Sequence, residues 1–391
     1  KRLNLPMYQW WNDILHGLTS VHFGGPFDRH FATMFPATES VSRTFNRTLF
    51  RLIGNSIGIE ARAYFNAGRS GLTYWAPNIN IYRDPRWGRG HETPGEDPKL
   101  NGDYAEDFVR AFQNDPSDPT RLRGSATCKH ISAYSIETNR FTENAKVTKR
   151  DLHETYLPAF EVCVKRGKVS SLMCSYNAIN GVPSCANKEM LDNLVRKQWG
   201  FEGYITGDCG AVQYVWEKFK YLGHNKSQVS NDVLRATVDI DCGAFLKPNI
   251  VEAVETGVVD VKLVDDALFN LFKVQLRVGL YDPMHIQPMR KYTMKDVDTP
   301  EHKHLALETA RQGVVLLKNT HGTLPVQSDT LRKQEGRIVL VGPMANNVEA
   351  FRANYFGEPS HIVSIVEGIK SFYSNTQDFP GCYVNTLDPP S

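Results

Sequence analysis

Four stretches of this sequence place polar, chemically capable side chains directly after an apolar run. They are residues 83–89, 129–130, 173–177 and 207–209. The preceding runs are rich in β-branched and aromatic residues, which is typical of buried strands. The carboxyl ends of parallel strands meet at one edge of a sheet, and in α/β barrels this edge carries the active site. We therefore expect the four stretches to form one site.

Asp208 is the most informative residue of these stretches. It is an isolated carboxylate at a predicted strand end, followed by small residues, and it has the chemistry of a nucleophile or a general base. Cations in the neighbouring stretches suit the hydroxyls of a neutral polar ligand and would keep this carboxylate ionised. These groups are Arg89, Lys129 and Arg140, with His130 beside the lysine. Aromatic residues near the same loops offer flat faces for a sugar ring, namely Trp10, Trp11, Tyr74, Trp75 and Trp87. This combination favours a glycosidase.

Each of these features also has a plain structural interpretation. An aspartate at a strand end is more often a helix N-cap than a nucleophile, and a Lys-His pair usually lies on the surface. The pair Trp10-Trp11 fits a core as well as a binding platform. Residues 83–89 also fit a structural loop that is ion-paired with Glu92, Glu96 and Asp97. The shared position after predicted strands favours the functional interpretation.

The elements that must position these residues alternate along the chain. Apolar runs predict strands at residues 73–82, 124–129, 169–176, 203–206 and 238–240. Apolar residues recur at helical spacing over residues 100–112, 152–163, 190–195 and 263–276. This alternation predicts βα units around a parallel sheet, and therefore an α/β fold.

A second segment follows the last of these helices. We expect that helix to end at Gly279, and the polar residues 283–300 to form a linker. Beyond the linker, the pattern predicts a helix over 302–311, an apolar run at 314–317 and a strand over 337–341. The chain is therefore expected to hold a second α/β unit after the first.

Composition excludes several classes of function. The 45 basic and 43 acidic residues give a net charge of +2 without a basic stripe, which argues against a nucleic-acid partner. The sequence contains no CxxC, HExxH, phosphate loop or GxGxxG motif, so no metal or cofactor is predicted. No apolar run is long enough to span a membrane.

Seven cysteines and the sequons at Asn46 and Asn225 favour a secreted protein. Disulfide pairing and oligomeric state stay open.

Several longer motifs give the sequence a family resemblance. They are YQWWNDILHG, GLTYWAPNINIYRDPRWGRGHETPGEDP, CKHISAY, NRFTENAKVTKRDLHETYLPAFEVCV, VSSLMCSYNAINGVPSCAN and QWGFEGYITGDCGAV, followed by GVVLLKN and GRIVLVGPMANN. Through them the chain resembles glycoside hydrolase family 3, and in particular its β-xylosidase and α-L-arabinofuranosidase branch. The resemblance runs along nearly the whole chain.

The resemblance implies a fold and a domain organisation. Residues 1–282 would form a (β/α)₈ TIM-type barrel whose first elements lie outside the chain, and residues 283–300 a linker. Residues 301–391 would be the N-terminal part of an α/β sandwich domain. In the family, the site lies between the two domains.

The resemblance also assigns roles to single residues. Asp208 would be the nucleophile of a retaining mechanism, in which it forms a covalent glycosyl-enzyme. The remaining roles are sugar binding by Arg89, Lys129, His130 and Arg140, support of the nucleophile by Tyr176, and orientation of the lysine by Glu92. The family's general acid/base glutamate is expected beyond Ser391, because Glu349, Glu358 and Glu367 come too early. We therefore expect this chain to be poorly active on unactivated xylosides.

Two positions bear on the substrate, and a third departs from the family pattern. Cys209 follows the nucleophile where many β-glucosidases have Trp, which favours the xylosidase branch. Asp13 stands where that branch has Glu, an acid that binds sugar hydroxyls and crowds the C6 group of a hexose. Gly207 replaces the usual Ser. The leading hypothesis is an exo-acting β-xylosidase on xylo-oligosaccharides, with α-L-arabinofuranosidase activity in addition.

Two alternatives to a β-xylosidase remain open. A β-glucosidase of the same family is the first, and a non-catalytic sugar-binding fragment is the second. The N-acetylglucosaminidase type is rejected, because Lys129-His130 is followed by residues 131–134, Ile-Ser-Ala-Tyr, and not by that type's histidine loop.

Overall fold

A computed structural model describes residues 5, 8–20 and 31–381 of the chain. Cys382 lies outside the described residues. The strands are β1 (Asn12–Asp13), β2 (Thr19–Ser20), β3 (Thr73–Tyr74), β4 (Ser125–Ile131), β5 (Asn144–Ala145), β6 (Ser171–Cys174), β7 (Ala178–Ile179), β8 (Val182–Pro183), β9 (Tyr204–Gly207), β10 (Ile338–Val341) and β11 (Thr376–Phe379).

Helices fill most of the chain between these strands. The α-helices are α1 (Thr38–Ser42), α2 (Arg47–Asn66), α3 (Pro98–Gln113), α4 (Lys149–Asp151), α5 (Pro158–Lys165), α6 (Ala211–Glu217), α7 (Lys226–Arg235), α8 (Leu246–Glu255), α9 (Val261–Arg277), α10 (Pro300–Gly313), α11 (Ser328–Lys333), α12 (Val348–Phe351) and α13 (Ile365–Phe372). Two segments are π-helical, Leu152–Tyr156 and Glu189–Gln198. Short 3₁₀ turns occupy Gly90–Glu92, Ser184–Ala186, Tyr221–Gly223, Met284–Ile286, Pro288–Lys291, Met294–Asp296 and Thr320–Gly322. The predicted α/β class is confirmed.

A parallel four-stranded sheet in the order β3-β4-β6-β9 positions the polar stretches. Its register pairs Ile131 with Cys174 and Cys174 with Gly207, so the carboxyl ends of β4, β6 and β9 lie side by side. All seven residues of β4 are buried, as expected for a strand covered on both faces. The stretches that follow these strands therefore share one edge, as predicted.

The predicted strands 73–82 and 238–240 are the most reduced, and 169–176 is a strand only at Ser171–Cys174. The run 73–82 is a regular strand only at Thr73–Tyr74, and beyond it Asn78 forms a single bridge to Lys129. Pro77 interrupts the ladder because proline has no N–H to donate. The run 238–240 contributes only a bridge between Ile240 and Thr206.

Helices α2, α3 and α5 cover one side of the sheet. Phe50, Tyr104 and Phe108 form a chain of ring contacts between α2 and α3, with centroid distances of 5.2 and 5.5 Å. Gly54 permits the close approach, since a Cβ there would lie 2.6 Å from the carbonyl oxygen of Phe108. Pro98 opens α3 behind the N-cap Asp97, which accepts from the backbone N–H of Lys99.

The segment after α9 packs on the preceding unit. Helix α9 ends at Arg277 and is followed by Gly279 at φ 72°, as predicted from the sequence. The expected linker 283–300 is a series of 3₁₀ turns held to α2, because the Asn66 amide donates to the carbonyl oxygens of Met289 and Tyr292. Helix α10 and strand β10 match the predicted helix and strand, and β10 pairs in parallel with β11. Residues 314–317 are exposed and lie in no strand.

Candidate active site

Asp208 lies directly after β9, at the shared edge of the sheet. Its backbone N–H donates to the Cys174 carbonyl oxygen (3.1 Å), and its Oδ1 accepts from the Cys209 backbone N–H (2.8 Å). Its Oδ2 is buried and accepts no hydrogen bond from the described residues. A buried carboxylate oxygen without a partner is costly, so it indicates a group reserved for a ligand or a reaction.

Opposing influences act on the charge of Asp208. Burial raises the pKa of its carboxyl above the ordinary value, while the Arg89 guanidinium, the Cys209 N–H and the Lys129 ammonium favour the ionised form. Cations beside the carboxylate therefore offset part of the cost of desolvation. This is the opposite-charge effect that the sequence predicted, although burial is stronger than we expected.

His130 is held as a neutral ring beside Asp208. Burial and the charges of Arg89, Lys129 and Arg140 lower its pKa well below the usual range. Asn80 Oδ1 accepts from the His130 backbone N–H (2.8 Å) and lies 3.0 Å from Nδ1, so the ring proton is on Nδ1. The unprotonated Nε2 then faces Asp208 Oδ2 at 3.5 Å and Arg89 Nη2 at 3.4 Å.

Arg89 and Glu92 form a buried bidentate ion pair. Arg89 Nε and Nη2 each donate to a Glu92 oxygen at 2.8 Å, and the Asn78 amide adds a third donor at 3.0 Å. Burial alone would raise the pKa of Glu92, but Arg89 lowers it to about 2. The Glu92 oxygens are bonded to the Arg89 guanidinium, and Glu92 acts on Lys129 through its charge alone, which favours the protonated ammonium. That Glu92 orients Lys129 stays a prediction.

Lys129 is instead held by Asp13. The Lys129 ammonium donates to Asp13 Oδ2 at 2.7 Å, and both side chains are buried. Asp13 Oδ1 accepts from the backbone N–H groups of Ile14 (2.7 Å) and Leu15 (2.8 Å). The short side chain at this position thus reaches both the lysine and its own loop, which ties the stretch after Trp11 to the carboxyl end of β4.

Arg140 and Tyr176 lie on the other flank of Asp208. Arg140 donates to Glu137 Oε1 (2.6 Å) and to the Tyr134 hydroxyl (3.4 Å), and its guanidinium lies 4.9 Å from the Tyr176 ring centre. The Tyr176 hydroxyl donates to the Cys209 carbonyl oxygen at 3.1 Å. Tyr176 therefore bonds the loop that carries the nucleophile candidate, and its role in supporting the nucleophile stays a prediction.

A segment from the C-terminal part of the chain closes the site, and we call residues 352–358 the strap. Its Asn354 amide donates to Glu92 Oε1 at 2.9 Å, and its Asn354 carbonyl oxygen lies 3.1 Å from His16 Nε2. Its Tyr355 ring lies 4.6 Å from the Lys129 ammonium and 6.1 Å from the Trp11 ring. Its Glu358 carbonyl oxygen accepts from the backbone N–H of Ala32. The strap thus contacts the sugar-binding candidates directly.

Sequence reasoning missed Asn80, Asn354 and Tyr355. The apolar run 73–82 predicts one continuous strand that includes Asn80. The alternation of Asn78 and Asn80 within that run is nevertheless a signal that polar side chains point to one face near the strand end. No local pattern pointed to the strap, because it is separated from Glu92 by 262 residues.

Three disulfide bonds join the six cysteines that lie in the described part of the chain. Two of them lie at the sheet edge, Cys174–Cys185 and Cys209–Cys242, and the third is Cys128–Cys163. Cys209, placed beside the nucleophile from its sequence position, thus anchors the Asp208 loop to residue 242. The Gly210 N–H donates to the Cys242 carbonyl oxygen at 2.7 Å in the same connection.

The predicted aromatic platform is only partly correct. Tyr74, Trp75 and Trp87 are buried and at most 3% exposed, so they cannot offer a face to a ligand. Tyr74 packs edge-on against Phe112, Trp75 donates to the Tyr204 hydroxyl, and Trp87 to Glu137. Trp10 and Trp11 are half-buried; the Trp11 ring lies 6.1 Å from Tyr355 of the strap, whereas the Trp10 ring packs on Tyr8 and Tyr204.

The described residues contain no cluster of His, Cys, Asp and Glu that could hold a metal ion. Within that same part of the chain, no helix is long and apolar enough to cross a bilayer.

Known proteins are similar in sequence to this chain over most of its length. A family model described as the glycosyl hydrolase family 3 N terminal domain matches residues 2–274. A probable beta-D-xylosidase 6 from Arabidopsis thaliana is 42% identical over 97% of this chain and 51% of its own length.

Solved protein structures also have a similar fold. A GH3 exo-beta-xylosidase (XlnD) in complex with a xylobiose aziridine activity based probe superimposes with a TM-score of 0.91 at 36% identity, over 98% of this chain and 50% of that one. A β-glucosidase from Erythrobacter marinus gives a TM-score of 0.81 at 27% identity, over 96% and 47%. The chain thus spans about half the length of the proteins it matches.

Proposed function

The chain belongs to glycosyl hydrolase family 3, and on this premise we propose that it acts as a retaining exo-β-xylosidase that releases terminal xylose from xylo-oligosaccharides. The observation that carries the proposal is the buried Oδ2 of Asp208, which accepts no hydrogen bond from the described residues and lies beside Arg89 and His130. A nucleophile needs a free lone pair aimed into the site.

The proposed reaction has two displacements. Asp208 Oδ2 attacks the anomeric carbon, the bond from that carbon to the leaving oxygen breaks, and the leaving oxygen takes a proton from a general acid. Water then attacks the same carbon and releases Asp208 as a carboxylate, while its proton returns to the acid. By family resemblance that acid is a glutamate, and we assign none of the described residues to this role.

The proposed sugar ligands surround this oxygen. Lys129 and Asp13 would bind hydroxyls as a charged pair, Arg89 and the Nε2 of His130 would bind those nearest the nucleophile, and Arg140 would approach from the opposite flank. Glu92 positions Arg89, and Tyr176 positions the nucleophile loop through Cys209. On binding, the sugar hydroxyls would exchange their hydrogen bonds to water for hydrogen bonds to charged groups that are already held in position.

Two observations support a pentose over a hexose. The matched xylosidases are 42% and 36% identical to the chain, against 27% for the matched β-glucosidase. The Tyr355 ring, which packs near Trp11, also covers the Lys129 ammonium of the Lys129–Asp13 pair at 4.6 Å and narrows the space for a larger sugar. β-Glucosidase activity is the second candidate, and α-L-arabinofuranosidase activity would accompany the first.

We also propose a more detailed fold and a cellular location for the chain, from the family resemblance and the disulfide bonds. The parallel sheet would be part of a TIM-type barrel, and residues from 301 onward would begin an α/β sandwich domain. Three disulfides in the described part of the chain support a secretory route, because such bonds persist in oxidising compartments.

Trapping with 2-deoxy-2-fluoro glycosides tests the proposal. With a 2,4-dinitrophenyl leaving group, these reagents need no general acid, so the test applies to the chain itself. We expect the xyloside to label the chain faster than the glucoside, and Asp13→Glu to increase that ratio because the longer acid crowds C6. Faster labelling by the glucoside would favour the β-glucosidase alternative, and no labelling by either would favour a sugar-binding fragment.

A further inference from the structure

We propose that Phe141 and Tyr214 form an aromatic wall that binds the leaving-group sugar of the substrate. This inference rests on the proposed function and adds to it a second subsite, for the sugar or aromatic ring on the far side of the cleaved bond.

The wall is a compact cluster of rings. Phe141 packs edge-on against Tyr176 at 4.9 Å, and Tyr214 lies 4.9 Å from Phe141 and 5.9 Å from Tyr176. The Arg140 guanidinium lies 4.6 Å from the Phe141 ring centre. Phe141 and Tyr214 are only half-buried, whereas Tyr176 is buried beneath them. The two outer rings therefore keep surface available for a ligand.

The chain places this wall directly beside the nucleophile. Helix α6 begins three residues after Asp208, and the Ala211 N–H donates to the Asp208 carbonyl oxygen at 2.8 Å. Tyr214 lies on the first turn of this helix, with its ring against Gly210. The Tyr176 hydroxyl bonds the Cys209 carbonyl oxygen at 3.1 Å, so the base of the wall is fixed to the nucleophile loop.

The hydroxyl-binding candidates and the wall reach the sheet edge from different segments. Asp13 and Arg89 precede β4 and Lys129 lies within it, and the Tyr355 ring of the strap lies over the Lys129 ammonium. Phe141 follows β4 and Tyr214 follows β9, and their rings meet at the buried Tyr176. Asp208 also follows β9, at the edge of the strand order, so the wall borders the nucleophile candidate, and the inference is that a sugar held by Asp13, Arg89 and Lys129 presents its leaving group to these rings.

The chemistry of the wall suits a sugar ring. The axial C–H groups of a pyranose pack on aromatic faces, and the adjacent Arg140 can bind an equatorial hydroxyl. The wall carries no acid or base of its own, so it binds and orients the leaving group without taking part in proton transfer.

Two trapping reagents that differ only in the leaving group test this inference on residues 1–391. One is 2,4-dinitrophenyl 2-deoxy-2-fluoro-β-xyloside, whose ring can stack on the wall, and the other is 2-deoxy-2-fluoro-β-xylosyl fluoride, whose leaving group has no ring. We expect Phe141→Ala and Tyr214→Ala to lower the labelling rate constant per concentration about 3- to 10-fold for the aryl reagent. The fluoride rate should stay within about twofold of the parent, which also shows that the site is folded. Phe141→Tyr should restore the aryl rate.

Trp216→Ala provides the matched control. Trp216 lies on the same helix, but it is exposed and packs toward Phe245 and Lys226. It should leave both rates unchanged. Equal losses for the two reagents in the wall variants, or no loss for either, would overturn the inference alone. Failure of the parent chain to react with the fluoride as well as the aryl reagent would overturn the proposed function, and the inference with it.

Discussion

Two buried aspartates at opposite ends of strand β9 show how function and stability are divided in this molecule. Asp208 follows the strand and Asp239 lies beside its beginning, and the two residues are 9% and 8% exposed. Asp239 is saturated: Oδ2 accepts from Arg196 (2.6 Å) and the Ile205 N–H (2.7 Å), and Oδ1 from Asn270 (2.9 Å). Asp208 keeps Oδ2 unbonded among the described residues. On the proposed function, equal burial with unequal hydrogen bonding distinguishes the proposed nucleophile from a structural aspartate.

The largest effect is expected from Asp208→Asn. Removing the nucleophile should lower the turnover of an activated aryl xyloside by a factor on the order of 10⁴–10⁶, measured by single-turnover kinetics. Stability to urea should be unchanged or higher, because the variant no longer buries a charge whose Oδ2 has no partner. If the variant reacts at a rate near that of the parent, Asp208 is not the nucleophile and does not differ in function from Asp239.

Asp239→Ala should do the reverse. It leaves the Arg196 guanidinium, the Ile205 N–H and the Asn270 amide without their buried partner, so the free energy of unfolding should fall by about 3 kcal/mol. Urea denaturation measures the loss, and labelling of the remaining folded protein should proceed at the parent rate. Loss of labelling with intact stability would place Asp239 in the chemistry.

Asp239 should also give stability a specific pH dependence. Burial raises its pKa to about 6, although Arg196 opposes the shift. Because its folded pKa exceeds the unfolded value of about 3.9, the folded state binds the proton more tightly. This contribution is complete below about pH 4 and is lost as the pH rises through 6, by up to about 3 kcal/mol.

The matched variant Asp239→Asn isolates that dependence. Its unfolding free energy should vary less than that of the parent between about pH 4 and 6, in urea titrations at each pH. An equal slope in both proteins would show that other groups dominate.

The smallest effect is expected from Asn80→Ala. Loss of the amide that fixes Nδ1 of His130 should lower the labelling rate about tenfold, since a misoriented imidazole loses its contact with the sugar without removing the nucleophile. Asn80→Asp, which keeps an acceptor for Nδ1, should recover part of the rate. An alanine variant as fast as the parent would show that the ring needs no such support.

The sequence predicted the parts of the site that local pattern determines. Asp208, Lys129, His130 and Tyr176 were found because each lies at the carboxyl end of a strand or just after it, and strand ends can be inferred from apolar runs. Partners were harder to infer. Arg89 and Lys129 are both cations near two acids, and only three-dimensional distances show that Glu92 bonds the first and Asp13 the second.

Local sequence patterns also could not predict which aromatic residues are buried. A short strand alternates its side chains between two faces, and a shift of one residue exchanges them. Tyr74 and Trp75 therefore could not be assigned to the ligand side from the sequence. The strap is the extreme case, because its Asn354 meets Glu92 only through the packing of the whole second segment on the sheet.

Peptide mapping after trapping tests the central claim most directly. The chain is labelled with 2,4-dinitrophenyl 2-deoxy-2-fluoro-β-xyloside, digested, and the mass of the added fluoroxylosyl group is located by tandem mass spectrometry. We predict that the label is on Asp208, with Asp239 and Asp13 unmodified. A label on any other carboxylate, or an intact chain without label, would contradict the assignment of Asp208 as the nucleophile.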